Sequence, residues 1–468
     1  MSETRKTIKP EVLGGFRDML PKEAIVLQRI VDTVRKVYES FGFLPLETPG
    51  MERLEVLTGG ETDFNKSIFV AKIVRGVEDK DVADADWSDD FALRFDLTVP
   101  LARVIAAYPD LAKPFKRYQL GKVWRGERSQ AGRYREFYQL DFDTIGSSSL
   151  NADIETIQIM YGCLSALGIN NFTIKFNTRK VLNGLAQVVN REEKAKEVFR
   201  IIDKLDKIGP DGVKRELMRE PDNQYDESAL NMSEAEADKI LRFLSIKSDD
   251  PEIILSQLDE FFSDSVGDGQ VGVTELRGIA LALDRLEIPR RHWKIDLSVA
   301  RGLDYYCGPV FEAVLDDASE LGSVLGGGRF DGLTNRFIAD SNIAGVGASV
   351  GVDRLIVAMQ KLGLIEAKDS LTDVLVTIFD VKFENESMQM AAYFRKAGIR
   401  TELYLGEDRT LRAQFAYATK KGIPFVVILG EEEINAGKVA IKDMAARKQE
   451  VLTKEEVLAK LVSSKASA

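Results

Sequence analysis

The chain has 468 residues, 44% hydrophobic and 30% charged, with a formal net charge of −11. That composition is ordinary for a globular protein of about two to four domains, and no apolar run approaches the roughly 18 residues that span a bilayer. The start, Met1 to Pro10, has no apolar core, and the two cysteines, Cys163 and Cys307, stand too far apart to suggest a disulfide framework; the expectation is a cytoplasmic protein with no membrane segment.

Taken in chain order, Lys22 to Phe41 carries apolar residues at helical spacing (Ile25, Ile30, Val34, Val37, Tyr38) and meets Gly42 as a stop. Ile68 to Val77 and Phe91 to Phe95 read as strands, joined by an acidic loop over Glu78 to Asp90. Tyr118 to Arg125 and Glu136 to Thr144 read as an antiparallel pair around a polar, glycine-containing loop. From Arg179 to Pro289 the pattern turns helical and charged, with helices over Ser233 to Leu244 and Pro251 to Phe262, which suggests an insertion. Strands return over Trp293 to Ala300 and Val310 to Leu315, with a helix over Gly351 to Leu362. Beyond Leu371, strands (Val374 to Phe379, Thr401 to Leu405, Pro424 to Leu429, Lys438 to Asp443) alternate with helices (Glu384 to Lys396, Leu411 to Lys421, Lys454 to Leu461). Gly398 and Gly422 stand at helix ends, and the alternation predicts a small doubly wound α/β domain. The fold class is therefore α+β, divided as 1–178, a helical insertion 179–289, 290–366, and a terminal α/β domain 371–468.

The single histidine, His292, rules out the usual multi-histidine zinc sites. Its neighbours (Arg290, Arg291, Trp293, Lys294) suggest a polar lead-in to a strand rather than a catalytic base. Net acidity does not decide nucleic-acid binding, which depends on local patches. One stretch carries Lys113, Lys116, Arg117, Lys122, Arg125, Arg128, Arg133 and Arg135 among aromatic residues, more than a plain solvated face usually shows.

Chemistry concentrates in four segments. In the strand Glu136 to Thr144, side chains alternate faces, so Phe137, Gln139, Asp141 and Asp143 share one side and suit a small polar ligand. Arg125 and Glu127 pair an anion anchor with an acceptor. Arg301-Gly302-Leu303-Asp304-Tyr305-Tyr306 offers a guanidinium for phosphate and two tyrosine walls; a structural turn with buried tyrosines would read the same. Gly326-Gly327-Gly328-Arg329-Phe330-Asp331-Gly332 allows close backbone approach to a ligand, although such a run more often marks a turn, and it lacks the lysine of a P-loop. Gly345 to Leu355 runs from a small-residue strand into a helix with Arg354 in its first turn, aimed either at phosphate or at a surface carboxylate.

Together these segments resemble the class II aminoacyl-tRNA synthetases over almost the whole chain. Gly42-Phe43 followed by Thr48-Pro49 resembles motif 1, Arg125 to Asp143 motif 2, and Gly351 to Arg354 motif 3. Arg301 to Tyr306 and Gly326 to Gly332 resemble the signature peptides of the histidyl-specific members. Leu93-Arg94-Phe95-Asp96-Leu97-Thr98 resembles their histidine-binding segment in its Asp-centred, eukaryote-like form. The resemblance implies an antiparallel-sheet catalytic core that activates L-histidine with ATP and Mg2+ and transfers it to tRNA(His), in a homodimer.

It also implies roles. Arg125 would bind the α-phosphate, and Arg354 the γ-phosphate while covering the adenine. Phe137 would stack on the adenine and Glu127 would contact its amino group. Asp96, Leu97, Thr98 and Gln139 would hold the α-ammonium side of histidine, with Arg125 nearby. Asp143 and Tyr305 or Tyr306 would read the imidazole, and Arg301 would stabilise the transition state. Gln130 and Arg133 would meet the tRNA acceptor end, residues 371–468 would bind the anticodon, and no tightly held protein metal is implied. A non-catalytic relative, the regulatory subunit of ATP phosphoribosyltransferase, resembles the same core but typically lacks the terminal domain.

Overall fold

The structure is a computed structural model and describes residues 9–59, 67–71, 91–126, 133–221, 226, 229–263, 267–300, 305–365 and 369–466. Two units form, Met1–Asp18 with Leu27–Ile365 and Met19–Val26 with Glu366–Ala468.

α1 (Pro21–Ser40) begins in the second unit and continues from Leu27 in the first, where Leu27, Ile30, Val34 and Tyr38 are buried. Gly42 ends the turn after it at φ +80, a conformation that glycine adopts without strain. β1 (Leu44–Pro45), β2 (Met51–Arg53), α2 (Leu54–Thr58), β3 (Val70–Ala71), β4 (Phe91–Leu93) and α3 (Thr98–Ala107) follow. β2, β4 and β3 make a small antiparallel sheet. The expected strand reaching Val77 is seen only to Ala71, and the acidic loop lies outside the described residues.

β5 (Phe115–Trp124) and β6 (Glu136–Ile145) pair antiparallel along their full length. α4 (Leu150–Ala166) is capped by Ser149, and β7 (Phe172–Thr178) leads into the insertion. The insertion comprises α5 (Arg179–Val188), α6 (Ala195–Ile202), α7 (Leu205–Met218), α8 (Glu234–Ser245), α9 (Pro251–Phe261) and α10 (Asp268–Arg285). Ser233 and Glu236 form the capping box that starts α8. α5 crosses α10 at glycine contact: a Cβ on Gly184 would lie 2.4 Å from the Gly269 Cα, and one on Gly272 would lie 2.6 Å from the Val181 nitrogen.

β8 (Trp293–Ile295), β9 (Pro309–Leu315), β10 (Leu325–Arg329), β11 (Gly345–Gly351) and α11 (Val352–Lys361) complete the unit. The main sheet runs β1-β5-β6-β11-β10-β9-β7-β8. Its six inner strands are antiparallel, and β1 and β8 add on parallel at the two edges. The strand expected over Trp293 to Ala300 stops at Ile295. There the Asp296 carboxylate accepts from Ser298 N (3.1 Å) and Ser298 Oγ (2.6 Å) and turns the chain.

The second unit holds β12 (Val374–Val376), α12 (Glu384–Lys396), β13 (Thr401–Leu403), α13 (Leu411–Lys420), β14 (Phe425–Ile428), α14 (Glu431–Asn435), β15 (Val439–Asp443), β16 (Lys448–Leu452) and α15 (Lys454–Ala466). Its sheet, β13-β12-β14-β15-β16, is parallel over the first three strands and antiparallel over the last two. Both faces are covered. Val374, Val376 and Val427 pack with Phe394, Val457 and Leu461 on one side, while Leu375 and Val426 pack with Ala418 on the other.

Candidate active site

The pocket floor is set by strand register. Arg117 faces Asp143, Gln119 faces Asp141, Gly121 faces Gln139 and Val123 faces Phe137 across β5 and β6. On the other side Asp143, Asp141 and Gln139 face Gly347, Ser349 and Gly351 of β11. Directly opposed residues share a face of the sheet, so Phe137, Gln139, Asp141 and Asp143 stand together as expected. Two glycines make room above them. A Cβ on Gly121 would fall 2.5 Å from Arg94 Nη2, and one on Gly347 would fall 2.2 Å from Asp143 Oδ1. Segment 93–98 can therefore lie across β5, and the Asp143 carboxylate has space beside β11.

Segment 93–98 is held firmly. Arg94 donates through Nη1 to the carbonyls of Thr48 (2.7 Å) and Pro49 (3.1 Å), and through Nε to the carbonyl of Lys122 (2.9 Å). Asp96 Oδ1 accepts from the Val99 amide (3.0 Å) at the start of α3. Gln139 Nε2 donates to Ser349 Oγ at 2.9 Å and reaches Asp141 Oδ1 at 3.4 Å. Arg117 is completely buried: its Nη2 donates to the Leu97 carbonyl at 3.0 Å and lies 2.6 Å from Asp143 Oδ2, off the hydrogen-bonding axis.

Burial pushes the carboxyls of Asp141 and Asp143 up from the usual range, and the Arg117 guanidinium pulls both back. Burial likewise raises the Tyr305 phenol, with Tyr306 and Asp96 adding to it and a hydrogen bond to Thr98 opposing it. Buried polar groups are nearly always hydrogen-bonded. Asp96 Oδ2, Arg117 Nε and Nη1, Gln139 Oε1 and Asp143 Oδ2 are nevertheless buried without such a partner.

At the other end of the floor, Arg125 donates through Nε to the Phe95 carbonyl (3.0 Å), and its guanidinium lies 5.1 Å from the centre of the Phe137 ring. Gly351 sits opposite Gln139, so α11 begins beside this end of β6. Asp353 fixes that start, accepting from the Tyr138 amide and from Arg17 Nη2, both at 2.7 Å. Arg354, in the same turn, donates to the Ser323 carbonyl.

The glycine run is not a turn. Gly326–Gly328 form β10, a buried inner strand, where a Cβ on Gly327 would lie 2.0 Å from the Gly347 oxygen. Its glycines serve close strand packing. Arg329 at its end is buried and grips both Asp153 oxygens, Asp331 Oδ1 (3.2 Å), and the carbonyls of Ser147 (3.0 Å) and Ser149 (3.2 Å). Tyr305 and Tyr306 pack on a cluster of Leu101, Ala102, Ile105, Ile145, Phe330 and Leu333.

Arg301, Glu127 and Gln130 lie outside the described residues, and Arg133, exposed, borders that stretch. His292 is a core residue, stacked on Phe172 with ring centres 4.3 Å apart and its Nδ1 3.1 Å from the Phe172 oxygen. The basic stretch is not one patch, because strand alternation splits it. Arg117 turns inward, Lys116 pairs with Glu155 (2.7 Å) and Lys122 pairs with Glu136 (2.6 Å). Arg117 and Ser349 went unassigned in the sequence. Hairpin register carried forward from Asp143 would have found Arg117, since its face follows from the alternation.

Residues 15–355 match the family described as Histidyl-tRNA synthetase, and residues 373–464 match the Anticodon binding domain. A "Histidine--tRNA ligase" of Wolinella succinogenes is 42% identical over 93% of this chain and 94% of its own length. Its namesake from Clostridium tetani is 40% identical over 96% and 98%. The crystal structure of histidyl-tRNA synthetase from Nostoc sp. PCC 7120 superposes with a TM-score of 0.84, at 32% identity, over 98% of this chain and all of that one. An ATP phosphoribosyltransferase regulatory subunit/histidyl-tRNA synthetase from Bacillus halodurans shares the fold at 21% identity and a TM-score of 0.70, over 88% of this chain and 97% of that one. These named relatives are bacterial, although segment 93–98 resembles eukaryotic members.

Proposed function

The chain belongs to the histidyl-tRNA synthetase family, and from that premise we propose which residues carry its reaction. It is an aminoacyl-tRNA ligase: it joins histidine to ATP as histidyl-adenylate, releasing pyrophosphate, and passes histidine to the 3′ end of tRNA(His). The proposal concerns where this happens. The observation that supports it is the set of five buried polar atoms without a hydrogen-bond partner on Asp96, Arg117, Gln139 and Asp143, of which Asp143 Oδ2 is ion-paired with Arg117, all in the pocket over β5, β6 and β11.

Histidine suits such a pocket. Its α-ammonium would meet Asp96, Thr98 and Gln139 beside Leu97, and an imidazole N–H would meet Asp143, with Tyr305 and Tyr306 walling the ring. An apolar amino acid there would leave those atoms unpaired, a large penalty against the wrong substrate. ATP would lie toward Phe137, with Arg125 at the α-phosphate, Arg354 at the γ-phosphate and Glu127 at the adenine amino group.

The histidine carboxylate oxygen then attacks the α-phosphorus. A new P–O bond forms, the bond to the bridging oxygen breaks, and pyrophosphate leaves with the electron pair. A carboxylate nucleophile needs no general base, so the protein supplies placement and positive charge, here from Arg125 and Arg301. Mg2+ on the ATP phosphates would supply further neutralising charge. Gln130 and Arg133 would meet the acceptor end of the tRNA. The α/β unit would splay and read the unpaired anticodon bases. We further propose a cytoplasmic homodimer joined through the motif 1 region. Among the described residues no helix is long and apolar enough to cross a membrane. The regulatory-subunit reading is disfavoured by the terminal domain match and by ligase relatives that cover 93% and 96% of the chain.

Pyrophosphate exchange across all twenty amino acids, run on the wild type and on Asp143→Asn, tests the assignment. Exchange should respond to histidine, and Asp143→Asn should raise its KM by about tenfold to a hundredfold, the scale of one charge-assisted hydrogen bond. An unchanged KM would remove the imidazole from this pocket.

A further inference from the structure

Arg117 has no role in the reaction as set out above, yet it spans the proposed histidine pocket. It is the fully buried cation in a cluster that holds three buried carboxylates, Asp96, Asp141 and Asp143. We propose that Arg117 is a positioning residue for histidine selection: one guanidinium nitrogen ties the Leu97 carbonyl to the Asp143 carboxylate, fixing the distance between the ring acceptor and the α-ammonium holders. This deepens the reading given under Proposed function and rests on it.

The geometry carries the argument. Leu97 lies between Asp96 and Thr98, the two side chains placed at the α-ammonium. Arg117 Nη2 sits 3.0 Å from its oxygen and 2.6 Å from Asp143 Oδ2. The two ends of the amino acid would thus be gauged by a single planar group, which a lysine ammonium on its flexible stem does not reproduce. Beneath Asp143, the missing Cβ of Gly347 leaves the carboxylate free to be set by this contact.

Arg117 also governs the charge of Asp143. The charged groups acting on that carboxylate are Arg117 from β5, Asp141 from its own strand and Asp96 from the segment before α3, while Tyr38 of α1 packs on Phe142 and donates to the Leu140 carbonyl. Arg117 alone among them favours the ionised form, while burial, Asp141 and Asp96 favour a proton. Even with Arg117 in place burial holds the Asp143 carboxyl up at about 7; without it the carboxyl would rise further, bind a proton through most of the neutral range and lose its charge as an acceptor for the ring N–H.

The test uses the full-length chain with Arg117→Gln, Arg117→Lys and Asp143→Asn, each checked for a wild-type melt by tryptophan fluorescence. Histidine KM and kcat are read by pyrophosphate exchange between about pH 7 and 9. Arg117→Gln should raise KM by about 30-fold at pH 7 with kcat within about threefold, again the scale of one charge-assisted hydrogen bond. The ratio of its KM to that of the wild type should fall as pH rises, because Asp143 regains its charge. Arg117→Lys keeps the charge and loses the rigid planar group that holds Nη2 between Leu97 and Asp143, so KM should rise by a smaller, pH-independent factor. Wild-type KM in Arg117→Lys, or in a folded Arg117→Gln at every pH, overturns the proposal. If Arg117→Gln does not fold, the lysine variant decides alone. If Asp143→Asn raises KM while the Arg117 variants do not, this inference fails and the pocket assignment stands. If Asp143→Asn also leaves KM unchanged, the pocket assignment fails with it.

Discussion

Replacing Arg329 by methionine should unpick the joint between β10 and α4, and the size of the loss follows from what surrounds it. The variant strands Asp153, whose side chain has no exposure, and removes donors from the carbonyls of Ser147 and Ser149. Breaking a buried ion pair by deleting one partner costs about 3–5 kcal/mol. Burial already pushes the Asp153 carboxyl up to about 6 although Arg329 pulls it down, so without Arg329 it must rise further. For a carboxyl raised in the folded state, stability is complete below the unfolded value and is lost as pH climbs through the folded one. The deficit should therefore be small near pH 5, where Asp153 is protonated in both proteins. Above about pH 6 it should open by roughly 1.4 kcal/mol per pH unit until the variant's own carboxyl ionises. Among the described residues Trp124 and Trp293 lie in the first unit, and the second unit's sequence has no tryptophan, so urea unfolding followed by tryptophan fluorescence reports the first unit. Asp153→Leu combined with Arg329→Met should recover much of the loss. A deficit below about 1 kcal/mol at pH 8, or one that is the same at pH 5 and pH 8, would refute the reasoning.

Gly327→Ala should leave little soluble protein, or should lower the urea midpoint by more than the ~1–3 kcal/mol usual for overpacking, because its Cβ would meet backbone atoms on β11 at 2.0 and 2.5 Å; wild-type stability would show that the strands can part there. Asp296 is partly buried, which raises its carboxyl, but Lys175 at 3.1 Å and Ser298 hold it below the ordinary value. Its stabilising effect is thus present above the unfolded pKa of about 3.9 and lost as pH falls through the lower folded value. Asp296→Asn should flatten that part of the acid limb in thermal melts, and an unchanged acid limb would exclude Asp296 as a contributor.

The helices and the alternating strands of the terminal unit were legible because apolar spacing and glycine stops coincide: Gly398 and Gly422 take φ +79 and +64 where they were expected to end helices. β16 was missed because Lys448–Leu452 lies at a sheet edge, exposed over most of its length, and so carries no apolar alternation. The shared face of Gln139, Asp141 and Asp143 was legible from a period of two. The face of Arg117 follows once the hairpin register is carried across the loop, but its burial does not, because a buried guanidinium has the same sequence signature as a solvated one. Gly326–Gly328 were illegible as a strand for a related reason: a glycine that lets two strands approach looks the same in sequence as a glycine in a turn.

β7 and β8 are parallel neighbours, with Ile174 opposite Trp293. The whole helical insertion is therefore the crossover between adjacent strands: it leaves at Thr178 and returns at Trp293, four residues back along the ladder and about 14 Å away. Pairing those strands from an unfolded chain means closing a loop of about 120 residues, at an entropic cost near 4 kcal/mol beyond a constant. If α5 and α10 first cross at their glycine contact, most of that loop is already closed. Folding of the insertion is then a step toward completing this edge of the sheet, and changes of length among α6 to α9 leave the strand order β9-β7-β8 undisturbed.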